Sequence, residues 1–209
     1  MSIESTISTL HKERLLTDYA PHSPQFRRLT MWLLTVCSCG GVIPALTAGE
    51  AQLYAMLAPF HDIGKRAVPS EIRNKHGRLT REEFKVMKTH TTRGRELLEQ
   101  IPPLRQSEAF PLACDVCRHH HERWDGSGYP DHLAGRDIAP WVQVVGLADA
   151  FDALLQPRVY KPAFPLGQAF EMIVSGACGA FNPDLLACFR RNIDFIYYMA
   201  YVRTRKQQS

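Results

Sequence analysis

What most constrains this chain is a succession of helix-opening signals with almost no strand alternation between them. Thr47-x-x-Glu50 and Thr80-x-x-Glu83 both have the form of a capping box. In such a box the threonine side chain takes a first-turn N–H and the glutamate reaches back to the cap. The first box predicts a helix through Leu53, Met56, Leu57 and Phe60 that stops at Gly64. The second predicts a helix carrying Phe84, Met87, Gly94, Leu97 and Ile101 on one face until Pro102-Pro103 ends it. Residues 111–123 read as a third helix, closed by the turn formers at 125–130, and residues 140–156 as a fourth, closed by Pro157. Asn182 as N-cap with Pro183 at the first helical position opens the last long helix, whose apolar stripe runs from Leu185 through Phe189, Ile193 and Ile196 to Tyr201. The pattern predicts an all-α chain with one domain over residues 25–202, an N-terminal extension at 1–24 and a polar tail at 203–209. No repeat or dividing linker interrupts it.

The 209 residues are 45% hydrophobic and 22% charged, enough to bury a core. With 25 basic against 21 acidic residues the formal charge is +4, which suits an anionic small ligand but does not mark a binder of DNA or RNA duplexes. Residues 29–49 carry no charge, yet Gly40-Gly41 and Pro44 break them, so they read as two buried helix segments and not as a membrane span. Glu4, Lys12, Glu13 and Arg14 stand where the apolar stretch of a secretion signal would lie. The expected location is therefore the cytoplasm, with the six cysteines as free thiols. The Cys114–Cys117 pair lies in a helical pattern and reads as small buried hydrophobes.

Polar residues on the apolar stripes are the informative anomaly. His90 follows Phe84 and Met87 at spacings of three and should face inward with them. Asp149 and Asp152 continue the stripe begun by Val142 and Val145, His120 and His121 follow Cys117, and His61-Asp62 close the first capped helix. Buried acids are costly unless paired, hydrogen-bonded or metal-bound. One such histidine alone would read as an ordinary core residue, but several helices here deliver imidazole and carboxylate into one interior. A mixed nitrogen and oxygen set suits two ions of the iron, manganese, magnesium or zinc group better than one structural zinc. Two such ions activate a water and clamp a phosphoryl oxygen. Lys65, Arg158 and Lys161 are cations placed for an anionic substrate, although each alone would read as exposed charge.

In their order, the segments resemble the HD-GYP family of metal-dependent cyclic-dinucleotide phosphodiesterases, a branch of the HD phosphohydrolases. The resemblance rests on His61-Asp62-Ile63-Gly64-Lys65, on Leu79-Thr80 with Glu82-Glu83, on Met87-Lys88-x-His90, and on the unbroken run from His120-His121-Glu122 to Gly128-Tyr129-Pro130. Ala148-Asp149-Ala150-Phe151-Asp152-Ala153-Leu154 and Arg158-Val159-Tyr160-Lys161 complete it, so that it covers residues 25–190. It implies a single HD-type helical domain with a bimetal site between helices, and hydrolysis of cyclic di-GMP to linear pGpG, with GMP as a further product left open. His61, Asp62, His90, His120, His121 and Asp149 would be metal ligands, Asp62 bridging two ions, most naturally iron or manganese. Lys65, Arg158 and Lys161 would hold phosphate oxygens. Asp152 would orient the attacking water or a ligand from behind. The Gly128-Tyr129-Pro130 loop would shape the site mouth, and in this family it is linked to contacts with diguanylate cyclase proteins.

The departures from the family pattern lie upstream. Gln25 stands three residues before Arg28, where family members carry a metal-binding histidine, and Pro21 stands where three-metal members carry glutamate. His22 is three residues off that register. A neutral amide is a poorer ligand than imidazole, which leaves open a catalytically weakened module that binds a cyclic dinucleotide or a cyclase partner as sensor or scaffold. A mixed cyclic dinucleotide as substrate is open as well. Asn182, where the family has aspartate, caps a helix equally well.

Overall fold

The computed structural model describes residues 24–157 and 162–202. Arg158, Lys161, Pro21 and His22, most of the expected N-terminal extension and the tail lie outside the described residues. Among the described residues there is no strand, only an isolated bridge between Asp125 and Ala134. No described helix is long and apolar enough to cross a membrane.

Helix α1 (Pro24–Cys39) is followed by the Gly40-Gly41 turn and then by α2 (Ala48–Leu57). The capping box of α2 forms as read, Glu50 N–H donating to Thr47 and the glutamate returning to the Thr47 N–H at 2.8 Å. The chain does not stop at Gly64. It tightens into a 3₁₀ segment (Ala58–Ala67), because Pro59 has no N–H to continue the α ladder. Gly64 serves a different purpose: a Cβ there would stand 1.8 Å from the His90 carbonyl oxygen, so its absence lets two backbones meet. A short α3 (Ser70–Arg73) leads to α4 (Arg81–Lys88), whose Thr80–Glu83 capping box also forms.

The single helix expected from Thr80 to Ile101 is two, α4 and α5 (His90–Leu98), divided at Thr89. Thr89 turns both its N–H and its hydroxyl back to the Val86 carbonyl, a tightened turn that redirects the chain. The spacing from Phe84 and Met87 therefore does not carry across: α4 buries none of its residues and Phe84 is 44% exposed, while His90 is 1% exposed. His90 is inward because α5 packs on the 3₁₀ segment.

After α6 (Pro102–Arg105), α7 (Phe110–His119) ends four residues earlier than expected. The His120 N–H makes the last bond to the Val116 carbonyl, and its ring Nδ1–H donates to the Val116 carbonyl and to that of Cys117, the one a further turn would use. Helix α8 (Pro140–Leu155) fits the expectation, α9 (Leu166–Val174) was not anticipated, and α10 (Pro183–Tyr197) is capped by the Asn182 side chain before a π turn (Tyr198–Val202).

Two apolar cores result. Phe26, Leu33, Val145, Phe151, Phe189 and Ile196 join α1, α8 and α10, whereas Leu57, Phe60, Ile63, Leu98, Ala113 and Cys117 join α2, the 3₁₀ segment, α5 and α7. Helix α7 is the shared wall, with Val116 in the first core and Cys117 in the second. All six cysteines are free; Cys117 is buried as read and Cys114 half-buried, Cys37 and Cys188 are buried as well, and Cys39 is exposed.

Candidate metal centre

The seam between the cores is where the polar anomalies converge. His61 and Asp62 come from the 3₁₀ segment, His90 opens α5, His120 and His121 follow the last turn of α7, and Asp149 lies in α8. The donor atoms of His90, His120 and His121 lie within 4.8 Å of one another, as do those of His61, His120 and Asp149. Asp62 faces both groups. Its Oδ2 is 3.3 Å from His61 Nε2, and its Oδ1 is 3.5 Å from His90 Nε2 and 3.9 Å from His120 Nε2. Asp149 Oδ1 is 3.4 Å from His61 Nε2. Donors about 2 Å from one ion stand roughly 3 Å apart, so these separations suit shared ions.

Three of the imidazoles are set in one tautomer. His61, His90 and His120 each direct Nδ1 at a backbone carbonyl three or four residues earlier, at 2.8, 2.8 and 3.0 Å. A carbonyl only accepts, so Nδ1 carries the proton, and in the neutral ring Nε2 presents its lone pair to the seam. Ligand histidines are ordinarily oriented in this way. His90 Nε2 and His120 Nε2 then face each other at 3.4 Å, two acceptors whose mutual repulsion a cation between them relieves. For three of the four rings, electrostatics agree with the donor geometry. Burial pushes His90, His120 and His121 down, His121 to about 3, which keeps them neutral. Burial would lower His61 too, but the Asp62 and Asp149 carboxylates overcome it and raise the imidazole to about 10. The carboxylates thus draw a proton onto the His61 Nε2 that faces them, a proton that leaves when that nitrogen serves as a ligand, and the donor set fits divalent ions.

The other expected residues fall as follows. Lys65 Nζ donates to Asp62 Oδ2 at 2.5 Å. Asp152 is buried, and its Oδ1 accepts the Tyr201 hydroxyl at 2.5 Å, tying α8 to the C-terminal π turn. Tyr129 lays its ring on His121, centroids 4.8 Å apart. Gly128 is pressed against the 121–123 backbone, where a Cβ would meet Glu122 Cα at 2.4 Å. His119 turns outward, between Asp115 and Asp131 at 2.6 and 3.0 Å. No group of potential metal donors among the described residues includes a cysteine.

Sequence reasoning missed the residues that hold this loop. Buried Glu122 accepts the Asp131 N–H at 2.7 Å, Arg118 grips Asp131 through two bonds of 2.6 and 2.7 Å, and Arg123 bonds the His120 and Glu122 carbonyls. The Asp131–Arg118 charges and the Tyr201 phenol were visible as residue types, but their partners lie 13 and 49 positions away.

The helical seam with its histidine and aspartate donors has known counterparts. A sequence profile described as HD domain matches residues 13–185, and the chain belongs to this family. It is similar to a protein of Vibrio cholerae serotype O1 named cyclic di-GMP phosphodiesterase, 40% identical over 145 residues, 69% of this chain and 30% of that one. It is also similar to a Thermotoga maritima protein of the same name, 42% identical over 132 residues, 63% of this chain and 35% of that one. The matched part thus spans about a third of these relatives. Among solved structures, an HDG"Y"P protein from Bdellovibrio bacteriovorus shares the fold, with a TM-score of 0.59 at 16% identity over 81% of this chain and 51% of that one.

Proposed function

We propose that this chain hydrolyses cyclic di-GMP to linear pGpG, with GMP as a further product left open, using two divalent ions, iron or manganese. The observation that carries the proposal is the placement of Asp62 between two groups of imidazole and carboxylate donors, one oxygen toward each. The names of the relatives support the substrate class.

His61, Asp62, His90, His120, His121 and Asp149 hold the ions, with Asp62 shared. Bound there, the ions supply the charge that lowers the pKa of a water and neutralises phosphoryl oxygens. The chain's own contribution is orientation. The carbonyl anchors keep the Nε2 lone pairs presented, so binding need not reorder the rings. Lys65 fixes Asp62 and offers its remaining N–H donors to a phosphate oxygen. Arg158 and Lys161, outside the described residues, are assigned to the same phosphates. Asp152 acts as a positioning residue: held by Tyr201, it sets α8 and, one turn earlier, Asp149. The Gly128-Tyr129-Pro130 loop bounds the mouth of the site and is the surface on which a diguanylate cyclase partner would dock, in the cytoplasm.

A second reading, a nucleotide sensor or scaffold, is favoured by Gln25. It is the second residue of α1, half-buried, and its neighbour Phe26 packs on His61 with ring centroids 5.2 Å apart. An amide at the position where family members carry histidine leaves one expected donor weak. The two readings separate in a hydrolysis assay on protein purified without oxygen and reconstituted with ferrous iron or manganese. Metal-dependent pGpG that drops at least about 100-fold in Asp62→Ala supports the enzyme. Nucleotide binding with no product supports the sensor.

A further inference from the structure

We propose that Phe84 and Lys88 form a guanine-binding subsite at the mouth of the metal centre, backed by Tyr129; this rests on the phosphodiesterase reading above. Helix α4 has no core face, yet it carries a phenylalanine that is 44% exposed. That ring is held in place: it meets Tyr129 edge-on, centroids 6.4 Å apart at 81°, and Tyr129 in turn packs on His121 at 4.8 Å. His121, Tyr129 and Phe84 thus form a line of rings leading from a proposed ligand to solvent.

Lys88 supplies selectivity. Its Nζ lies 5.1 Å from the Phe84 centroid and 4.8 Å from that of Tyr129. The neighbouring lysines are engaged with acids, Lys85 with Glu82 at 3.0 Å and Lys75 with Glu83 at 2.6 Å, whereas Lys88 is directed over the rings. Stacking on an aromatic face accepts any base. The ammonium, lying over both rings, has only donors. Guanine meets it with the O6 and N7 acceptors, while adenine places an amino donor where guanine has O6. The pair therefore grips a base through Phe84 and prefers guanine through Lys88.

The test is equilibrium titration of the intact, manganese-loaded chain with guanosine, GMP and adenosine. Phe84→Ala, on an exposed helix position, is expected to weaken guanosine and GMP alike by about tenfold. Lys88→Met is expected to reduce the preference for guanosine over adenosine by about tenfold while leaving adenosine nearly unchanged. Asp62→Ala reports on the metal centre instead and should weaken GMP but not guanosine. Guanosine that fails to bind, or binds equally well to Phe84→Ala, overturns the subsite and leaves the Phe84 face to a protein partner. Equal loss of both nucleosides in Lys88→Met overturns the selectivity. If GMP binds no better than guanosine and Asp62→Ala changes neither, the metal-centre reading fails, and the Phe84 comparison still decides the subsite.

Discussion

Three histidines of the centre, His61, His90 and His120, solve the same local problem. A ring whose Nδ1–H is given to a backbone carbonyl three or four residues earlier can turn only one nitrogen to the interior, and in the neutral ring that nitrogen is an acceptor. The ligand types were legible in the sequence because imidazole and carboxylate on an apolar stripe need a reason. Their supports were not, because Glu122, Arg123 and Tyr201 act on groups that only the fold brings near. Tyr201 tests this at the level of one atom. Tyr201→Phe deprives the buried Asp152 carboxylate of a donor and should cost about 1–3 kcal/mol in urea unfolding. An unchanged midpoint would mean that the hydroxyl is dispensable. Gln25 is the other single-residue question. Gln25→His should increase the metal retained per chain after gel filtration, whereas no gain would contradict the register that places residue 25 beside the centre.

At the level of elements, the capping boxes at Thr47 and Thr80 and the Asn182–Pro183 start were readable because capping is local chemistry. The break at Thr89 was not, since threonine sits in helix interiors as well as at turns, and only packing against the 3₁₀ segment decides. Helix α9 escaped notice because it buries just Ala169 and Ile173 and begins Pro165-Leu166-Gly167, a poor helical window. Gly64 was read as a stop, but its part is to let the 3₁₀ segment touch α5. Gly64→Ala should push His90 away from Asp62, because the obstructing atom is a backbone carbonyl that cannot rotate aside. The expected result is a stability loss of about 1–3 kcal/mol together with weakened metal binding. Stability lost with metal affinity intact would show that His90 is not held through this contact.

In the molecule as a whole, two cores meet along α7, and the centre occupies their seam, so packing in one core is felt at the ligands. Phe151 lies two residues from Asp149, fully buried, with its ring edge-on to Phe189 at 5.1 Å. Phe151→Ala should destabilise by about 3–5 kcal/mol in denaturant unfolding, and a loss under 1 kcal/mol would argue against the assigned core. Fold class was legible from helix signals alone; the two-core division was not, because the stripe of α7 reads the same whichever neighbours it serves. The most direct test of the central claim is the rate of cyclic di-GMP cleavage measured against ferrous iron or manganese bound per chain. The account predicts little product at the first equivalent and a steep rise as the second binds, with Asp62→Ala inactive throughout. A chain that fills with two ions and binds the dinucleotide, yet forms no pGpG at any occupancy, would contradict it.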